Sequence, residues 1–238
     1  MSRGIRAIAL DLDDTLWSCD DVIERAEAVL YAWLQRHAPR ITEAYSLDGM
    51  RELRARTAEE WPALGVDLTA LRRETVARHA RAAGYDEALA DDAVEVFLDE
   101  RNRVSPFDDV RPVLERLRRR YPLVAVTNGN ADVERAGVGD LFEAAFGAAD
   151  VGAAKPDPRL FDAVCRDLGI RAGELMHVGD DPVRDVHAGR SFGARTVWVD
   201  RYGLTWPEGV PRAHHELASL RGLPEILGMD PVATATGP

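Results

Sequence analysis

Four short, mostly apolar runs stand out along the chain, and each is followed at once by a polar residue or a glycine. They begin at Ile5, Leu123, Leu175 and Thr196. Near-continuous apolar runs of this length are typical of strands buried on both faces, as in a parallel sheet. Segments with helical periodicity separate the last three runs. Strands that alternate with helices predict an α/β core, a Rossmann-like doubly wound parallel sheet.

The pattern changes between the first and second runs, where helical signals follow one another without a strand. One apolar stripe at helical spacing is formed by Val22, Ala26, Val29, Leu30 and Trp33. Glycines and prolines punctuate the stretch as helix breakers would. We therefore predict an inserted α-helical cap domain over residues 17–105, in a core built from residues 1–16 and 106–230. The tail 231–238 is small, polar and proline-flanked, and we expect it to be disordered.

Charge and composition exclude several classes of partner. Lys and Arg number 30 against 41 Asp and Glu, a formal net charge of −11, and no basic stripe of the kind that nucleic-acid binders carry is present. No segment reaches the roughly 20 apolar residues of a membrane span. The two cysteines, Cys19 and Cys165, lack metal-ligand or redox spacing. We expect a soluble cytoplasmic monomer or homodimer that binds neither nucleic acid nor membrane.

Chemically versatile residues follow three of the four predicted strands. Ligands bind outside the carboxyl ends of the strands in open α/β sheets, so these positions are expected to share one edge. The residues in question are Asp11, Asp13, Asp14 and Thr15 after the first run, Thr127 and Asn128 after the second, Asp180 and Asp185 after the third, and Lys155 between the last two.

This combination of side chains suits phosphate chemistry. Crowded carboxylates repel one another unless a divalent cation lies among them, and Mg²⁺ prefers oxygen ligands and often bridges to phosphate. A carboxylate such as Asp11 can attack phosphorus, and a second one two residues later, Asp13, can protonate the leaving oxygen and then activate water. A lysine and a threonine supply positive charge and a hydrogen bond to the phosphoryl oxygens.

With these residues identified, the sequence resembles the haloacid dehalogenase-like hydrolases. Asp11-Leu12-Asp13-Asp14-Thr15 is similar to the DxDxT motif of that family, and three further elements follow in the family's order. They are the hydroxyl of Thr127, the lysine Lys155, and Gly179-Asp180 with Asp185, which resembles the GDxxxxD form of the fourth motif. The helical insert directly after the first motif resembles the C1 cap subclass.

The resemblance implies a role for each matching residue. Asp11 is expected to be nucleophile and Mg²⁺ ligand, and Asp13 the general acid and base that also offers its backbone carbonyl to the metal. Asp180 is the expected direct metal ligand and Asp185 its support. The phosphoryl group would be held by Thr127, Asn128 and Lys155. Closure of the cap would exclude water from the reacting groups.

Within the family, the segments 122–131 and 177–181 resemble a bacterial branch of riboflavin-pathway phosphatases that act on phosphorylated ribityl-pyrimidines and on FMN. The expected function is therefore hydrolysis of a small phosphorylated metabolite through an aspartyl-phosphate. The resemblance is strongest in the core, whereas caps choose substrates in this family. The substrate is thus a separate question from the reaction.

Three other functions remain open at this point. A haloacid dehalogenase uses the same aspartate on carbon without a metal, but it has no leaving oxygen for Asp13 to protonate. A phosphomutase shares the intermediate, and a non-catalytic binding protein shares the fold. Trp17 is a candidate to stack on the substrate, with packing beside the hinge as the alternative, and His177 is interpreted as a core residue.

Overall fold

The computed structural model describes residues 4–230, so the predicted disordered tail lies outside the described residues. The sheet has six strands in the order β3-β2-β1-β4-β5-β6, and every neighbouring pair is parallel. The strands are β1 (Ala7–Leu10), β2 (Leu123–Thr127), β3 (Ala144–Gly147), β4 (Leu175–Gly179), β5 (Arg195–Val199) and β6 (His215–Leu217). The predicted Rossmann-like parallel α/β fold is confirmed.

The four predicted runs supply the centre of this sheet. Every residue of β1, β2 and β4 is buried, as expected for strands covered on both faces. Strands β3 and β6, which lie at the two edges of the sheet, were not predicted. Both are short and no residue of either is fully buried, so neither carries the continuous apolar run that identifies a central strand.

Contacts between Cα atoms group the described chain into two compact units. The first unit contains the sheet and comprises residues 4–18, 105–128 and 137–230. Its helices are α6 (Val110–Leu117), α7 (Ala148–Val151), α8 (Arg159–Asp167), α9 (Ala188–Phe192) and α10 (Leu223–Ile226). In α6 the residues at helical spacing, Val110, Val113, Leu114 and Leu117, are the buried ones.

The second unit is helical and comprises residues 19–104 and 129–136. Its helices are α1 (Cys19–His37), α2 (Pro39–Ala44), α3 (Leu47–Glu60), α4 (Leu68–Ala82) and α5 (Leu89–Arg101). The apolar stripe of α1 contributes Ala26, Leu30 and Leu34 to a buried cluster with residues of α4 and α5. Helix α4 begins where the Asp67 side chain accepts hydrogen bonds from two backbone N–H groups.

The segment 129–136 differs from the sequence prediction, which assigned it to the core. Hydrogen bonds explain its grouping with the helical unit. The backbone N–H of Asp132 donates to Asn102 Oδ1 at 2.8 Å, and Arg135 contacts Glu95 and Asp99 at 2.9 and 2.6 Å.

None of the helices within residues 4–230 combines the length and the apolar character that a membrane span requires.

Candidate active site

The predicted site residues meet at the carboxyl ends of three adjacent strands. Strand β1 lies between β2 and β4, and the backbone N–H of Asp11 continues that pairing by donating to Val178 O at 2.9 Å. Asp11 follows β1, Thr127 ends β2, and Asp180 follows β4. Parallel register therefore brings side chains that are far apart in sequence to one edge of the sheet.

Lys155 connects the carboxylates of this edge. Its Nζ donates to Asp11 Oδ1 and to Asp185 Oδ1, both at 2.6 Å, and to Val126 O at 3.0 Å. The side chain is only 2% exposed. Burial alone would lower the pKa of Lys155, but the two carboxylates raise it above its ordinary value. The site thus contains a permanently charged ammonium in contact with the predicted nucleophile.

Asp185 is the most completely bonded carboxylate of the site. Besides Lys155 it contacts His177 Nε2 at 2.8 Å through Oδ1, and its Oδ2 accepts from the backbone N–H of Asp181 at 3.0 Å. Burial opposes its charge, but Lys155 and His177 together hold the pKa of Asp185 below its ordinary range. Asp185 also explains Gly179, because a Cβ there would lie 2.3 Å from Asp185 Cγ.

Three carboxylates form the possible metal site. One oxygen from each of Asp11, Asp180 and Asp185 lies within 4.8 Å of the others. Burial and the negative charges of Asp185 and Asp14 raise the pKa of Asp180 to about 7. Burial likewise raises the pKa of Asp11 in spite of the Lys155 ammonium. This crowding of hard oxygen donors is what a divalent cation would relieve, so the residues present fit Mg²⁺.

In the loop after β1, the Asp13 side chain contacts Trp17. Trp17 Nε1 donates to Asp13 Oδ1 at 2.9 Å, and the backbone N–H of Asp14 donates to Trp17 O at 2.7 Å. The Trp17 side chain is fully buried, which agrees with the packing role that the sequence left open beside substrate contact. Asp14 has a φ of 58°, a left-handed conformation that aspartate tolerates, and accepts a hydrogen bond from Tyr202.

Asn128 contacts the backbone of Lys155. Its Nδ2 donates to Lys155 O at 2.8 Å, and its Oδ1 accepts from the Lys155 backbone N–H at 2.7 Å. Both polar atoms of the amide therefore hold the lysine segment, and contact with a phosphoryl group stays a prediction. Thr127 is buried at the end of β2, and the hydroxyl of Thr15 donates to Asp180 Oδ1 at 3.1 Å.

Three residues of the site were not identified from the sequence. His177 was interpreted as a core residue, yet it contacts Asp185. Trp198 Nε1 donates to Asp180 O at 2.6 Å, and Arg201 Nε donates to Thr15 O at 2.8 Å. The position of Trp198 in β5 could have identified it, because Trp198 pairs with Gly179 in the parallel register and so lies beside the start of the Asp180 loop. Trp198 and Arg201 thus hold the backbone at Asp180 and Thr15, whereas His177 contacts the Asp185 carboxylate itself.

Comparison with known proteins agrees with this geometry. The family model for haloacid dehalogenase-like hydrolases matches residues 5–193. The chain is 31% identical over 199 residues to the 5-amino-6-(5-phospho-D-ribitylamino)uracil phosphatase YigB of Escherichia coli, covering 82% of this chain and 83% of that one. It is 34% identical over 186 residues to a phosphoserine phosphatase of Thermus thermophilus, covering 74% and 70%.

A solved structure described as a 2-haloacid dehalogenase from Pseudomonas syringae pv. Tomato superimposes with a TM-score of 0.89 and 37% identity, over 94% of this chain and 98% of that one. The relatives named as phosphatases support an enzyme of the phosphatase type. The family match covers strands β1 to β4 and all four motif elements. The chain belongs to the haloacid dehalogenase-like hydrolase family.

Proposed function

We propose that this enzyme is a Mg²⁺-dependent phosphatase that hydrolyses a small phosphate monoester through an aspartyl-phosphate on Asp11. One observation carries the proposal. The Asp11 carboxylate contacts the Lys155 ammonium at 2.6 Å and shares a carboxylate cluster with Asp180 and Asp185. A nucleophile beside fixed positive charge and a hard-cation site is what phosphoryl transfer requires.

The chain's own residues divide the reaction into two steps. In the first, an Asp11 oxygen attacks phosphorus, the ester bond breaks, and Asp13 gives its proton to the leaving oxygen. In the second, Asp13 takes a proton from water, which attacks the aspartyl-phosphate and releases inorganic phosphate. Lys155 and Thr127 stabilise the phosphoryl oxygens in both steps. Asn128 and Asp185 hold Lys155 in place.

The expected metal ligands are Asp11, Asp180, the Asp13 backbone carbonyl, and Asp185 in support. Magnesium held there would neutralise charge between the nucleophile and the phosphoryl oxygens and favour the ionised form of Asp11. Burial raises the pKa of Asp11, and the Lys155 ammonium opposes that rise. A bound magnesium ion would also lower the pKa of Asp11, so the ion and Lys155 would both favour the ionised nucleophile.

For the substrate we propose FMN or a phosphorylated ribityl-pyrimidine. The similarity to the E. coli phosphatase, over 82% of this chain, supports this class. The similarity to the phosphoserine phosphatase of T. thermophilus makes an amino-acid phosphate the natural comparison compound. A phosphomutase is the remaining alternative on the same intermediate, and analysis of the products separates the two. We also propose a cytoplasmic monomer or homodimer that binds neither nucleic acid nor membrane.

A haloacid dehalogenase is the second candidate, because the 2-haloacid dehalogenase structure aligns at a TM-score of 0.89. Asp13 separates the two activities, since displacement of halide leaves no oxygen to protonate. In a phosphatase Asp13→Asn therefore abolishes turnover, whereas in a dehalogenase it leaves turnover largely intact.

The deciding experiment measures phosphate release from FMN, ribityl-pyrimidine phosphate, phosphoserine, sugar phosphates and nucleoside monophosphates. Chloride release from 2-chloropropionate is measured in parallel. We expect Mg²⁺-dependent phosphate release that excess EDTA stops and that Asp11→Asn abolishes. Chloride release that persists in EDTA, with no phosphate release from any ester, would overturn the proposal in favour of the dehalogenase.

A further inference from the structure

Three arginines converge on one buried glutamate within the helical unit. Glu27 lies on α1, Arg51 and Arg54 on α3, and Arg72 on α4. Arg51 Nε donates to Glu27 Oε2 at 2.6 Å, Arg54 hydrogen-bonds to Oε1, and Arg72 Nη2 lies 3.6 Å from Oε1. We call Arg51, Arg54 and Arg72 the arginine cluster.

The arginine cluster carries more positive charge than Glu27 can balance. One carboxylate neutralises at most one of the three guanidinium groups, and the additional partner of Arg51, Asp48, is largely exposed. Burial tends to raise the pKa of Glu27, but the hydrogen bonds from Arg51 and Arg54 hold it below its ordinary value. Glu27 therefore stays ionised, and a net positive charge remains beside it.

Arg72 shows the unbalanced positive charge most clearly. Its side chain is 11% exposed and its guanidinium lies over the Phe97 ring at 3.5 Å. Its Nε has no hydrogen-bond partner among residues 4–230. Burial and the neighbouring charge of Arg54 lower the pKa of Arg72 to about 9. A buried cation with an unused donor is costly unless an acceptor is supplied.

A narrow pocket lies against the arginine cluster and opens to solvent. Its other walls are mostly apolar. Those walls are formed by Leu30, Tyr31, Leu47, Met50 and Val76. Small-molecule sites commonly combine such an apolar lining with a few convergent charged groups.

We propose that this pocket is a binding site for a small organic anion, whose carboxylate or phosphate contacts Arg54 and Arg72 and whose apolar part lies against Met50 and Val76. The ligand balances the positive charge that Glu27 leaves unneutralised. Glu27 thereby acts as a built-in competitor that limits the affinity. The site is distinct from the carboxylate cluster at the sheet edge.

The proposed ligand is a separate metabolite with a carboxylate or phosphate group. Binding by itself requires no turnover. A failure of the proposed binding is therefore distinguishable from a failure of the proposed phosphatase activity.

The test uses phenylacetate as the probe and phenylacetamide, which has a similar shape without the charge, as its control. The full chain is labelled with ¹³C-methyl methionine for NMR. The Met50 methyl resonance is identified as the one that disappears in Met50→Leu. We expect phenylacetate to shift the Met50 methyl resonance in a saturable way and phenylacetamide to leave it unchanged. This readout uses the wild-type protein, so it holds even where a variant fails to fold.

Substitutions then test which charged residues contribute to phenylacetate binding. Arg54→Gln should weaken phenylacetate binding at least about tenfold, the typical effect of removing a charge-assisted hydrogen bond. Arg56→Gln is the matched control, because Arg56 lies on the same helix, is exposed, and pairs with Glu52 outside the pocket. Glu27→Gln should tighten binding, since it removes the competitor. Circular dichroism and thermal unfolding verify that each variant is folded.

Equal shifts by phenylacetate and phenylacetamide, or equal affinity in Arg54→Gln and Arg56→Gln, would overturn the proposal.

Discussion

The indole N–H of Trp17 donates a 2.9 Å hydrogen bond to Asp13 Oδ1. Trp17 is fully buried, whereas Asp13 is only partly so. The rigid ring therefore fixes the orientation of the carboxyl group that we propose as general acid and base. Because proton transfer depends on placement within hydrogen-bond reach of the leaving oxygen, Trp17 becomes a positioning residue for the reaction.

Replacing Trp17 with Phe keeps an aromatic ring in the core and removes the donor. We expect kcat to fall about ten- to a hundredfold with little change in KM, because misplacing a catalytic group affects the chemical step more than binding. Steady-state kinetics measure this. Trp33→Phe is the control, since it removes an indole N–H in the helical unit, where Trp33 packs against His37. Equal losses in the two variants would contradict the assignment.

Asp180 and Asp185 should respond differently to substitution. Asp180→Asn removes a direct metal ligand, so the Mg²⁺ concentration for half-maximal activity should rise at least about tenfold. Asp185→Asn mainly disturbs Lys155 and His177, its contacts at 2.6 and 2.8 Å. We expect it to lower kcat with a smaller change in Mg²⁺ requirement. Activity titrations with Mg²⁺ on both variants provide the comparison.

Gly179 should not tolerate a side chain. An added Cβ would lie 2.3 Å from Asp185 Cγ and 2.4 Å from Oδ2, in a fully buried strand end. We expect Gly179→Ala to lower the free energy of unfolding by about 2 to 3 kcal/mol, the cost of overpacking, and to abolish activity. Gly173→Ala is the matched control, because nothing lies within 4 Å of its Cβ position. Urea unfolding measures both, and a wild-type midpoint for Gly179→Ala would refute the crowding argument.

His79 should make the stability of the chain depend on pH. Burial lowers its pKa in the folded protein, and its Nδ1 contacts Thr75 O at 2.9 Å. Above the unfolded value of about 6.5 both states are neutral and the residue contributes no pH dependence. As pH falls below that value, the unfolded state takes up a proton that the folded state does not, so stability decreases until the folded pKa is reached.

The variant His79→Phe keeps the ring contact with Tyr45 and removes this titration. Between pH 6.5 and 5 we expect the slope of unfolding free energy against pH to decrease by up to about 1.4 kcal/mol per pH unit, the limit for one proton. Chemical denaturation at several pH values measures the slope. An unchanged slope would show that His79 does not bind its proton differently in the two states.

The residues at the strand ends were predictable because their signal is local. Asp11, Thr127 and Asp180 each follow a run of buried residues, and parallel strands place their carboxyl ends together. The partners of these residues were not predictable in the same way. Whether His177 faces Asp185, or Asn128 holds the Lys155 backbone, depends on side-chain direction in the folded chain. Spacing in sequence carries no such information.

The edge strands were missed for a related reason. Strand Ala144–Gly147 has only four residues, none of them buried, and Phe146 is its one large side chain, so its pairing with β2 leaves no continuous hydrophobic run. Segment 129–136 groups with the helical unit through polar hydrogen bonds, such as Asp132 to Asn102. Hydrophobic periodicity gives no information about polar contacts of that kind.

The central position of β1 has a consequence for the order in which the protein assembles. β1 is translated before either of its neighbours, which begin at Leu123 and Leu175. During synthesis on the ribosome, the strand that carries Asp11 must remain without its sheet partners while the whole helical segment 19–104 is made. The nucleophile therefore reaches its working position only after the Asp180 segment has left the exit tunnel, which makes catalytic competence a late event in biogenesis.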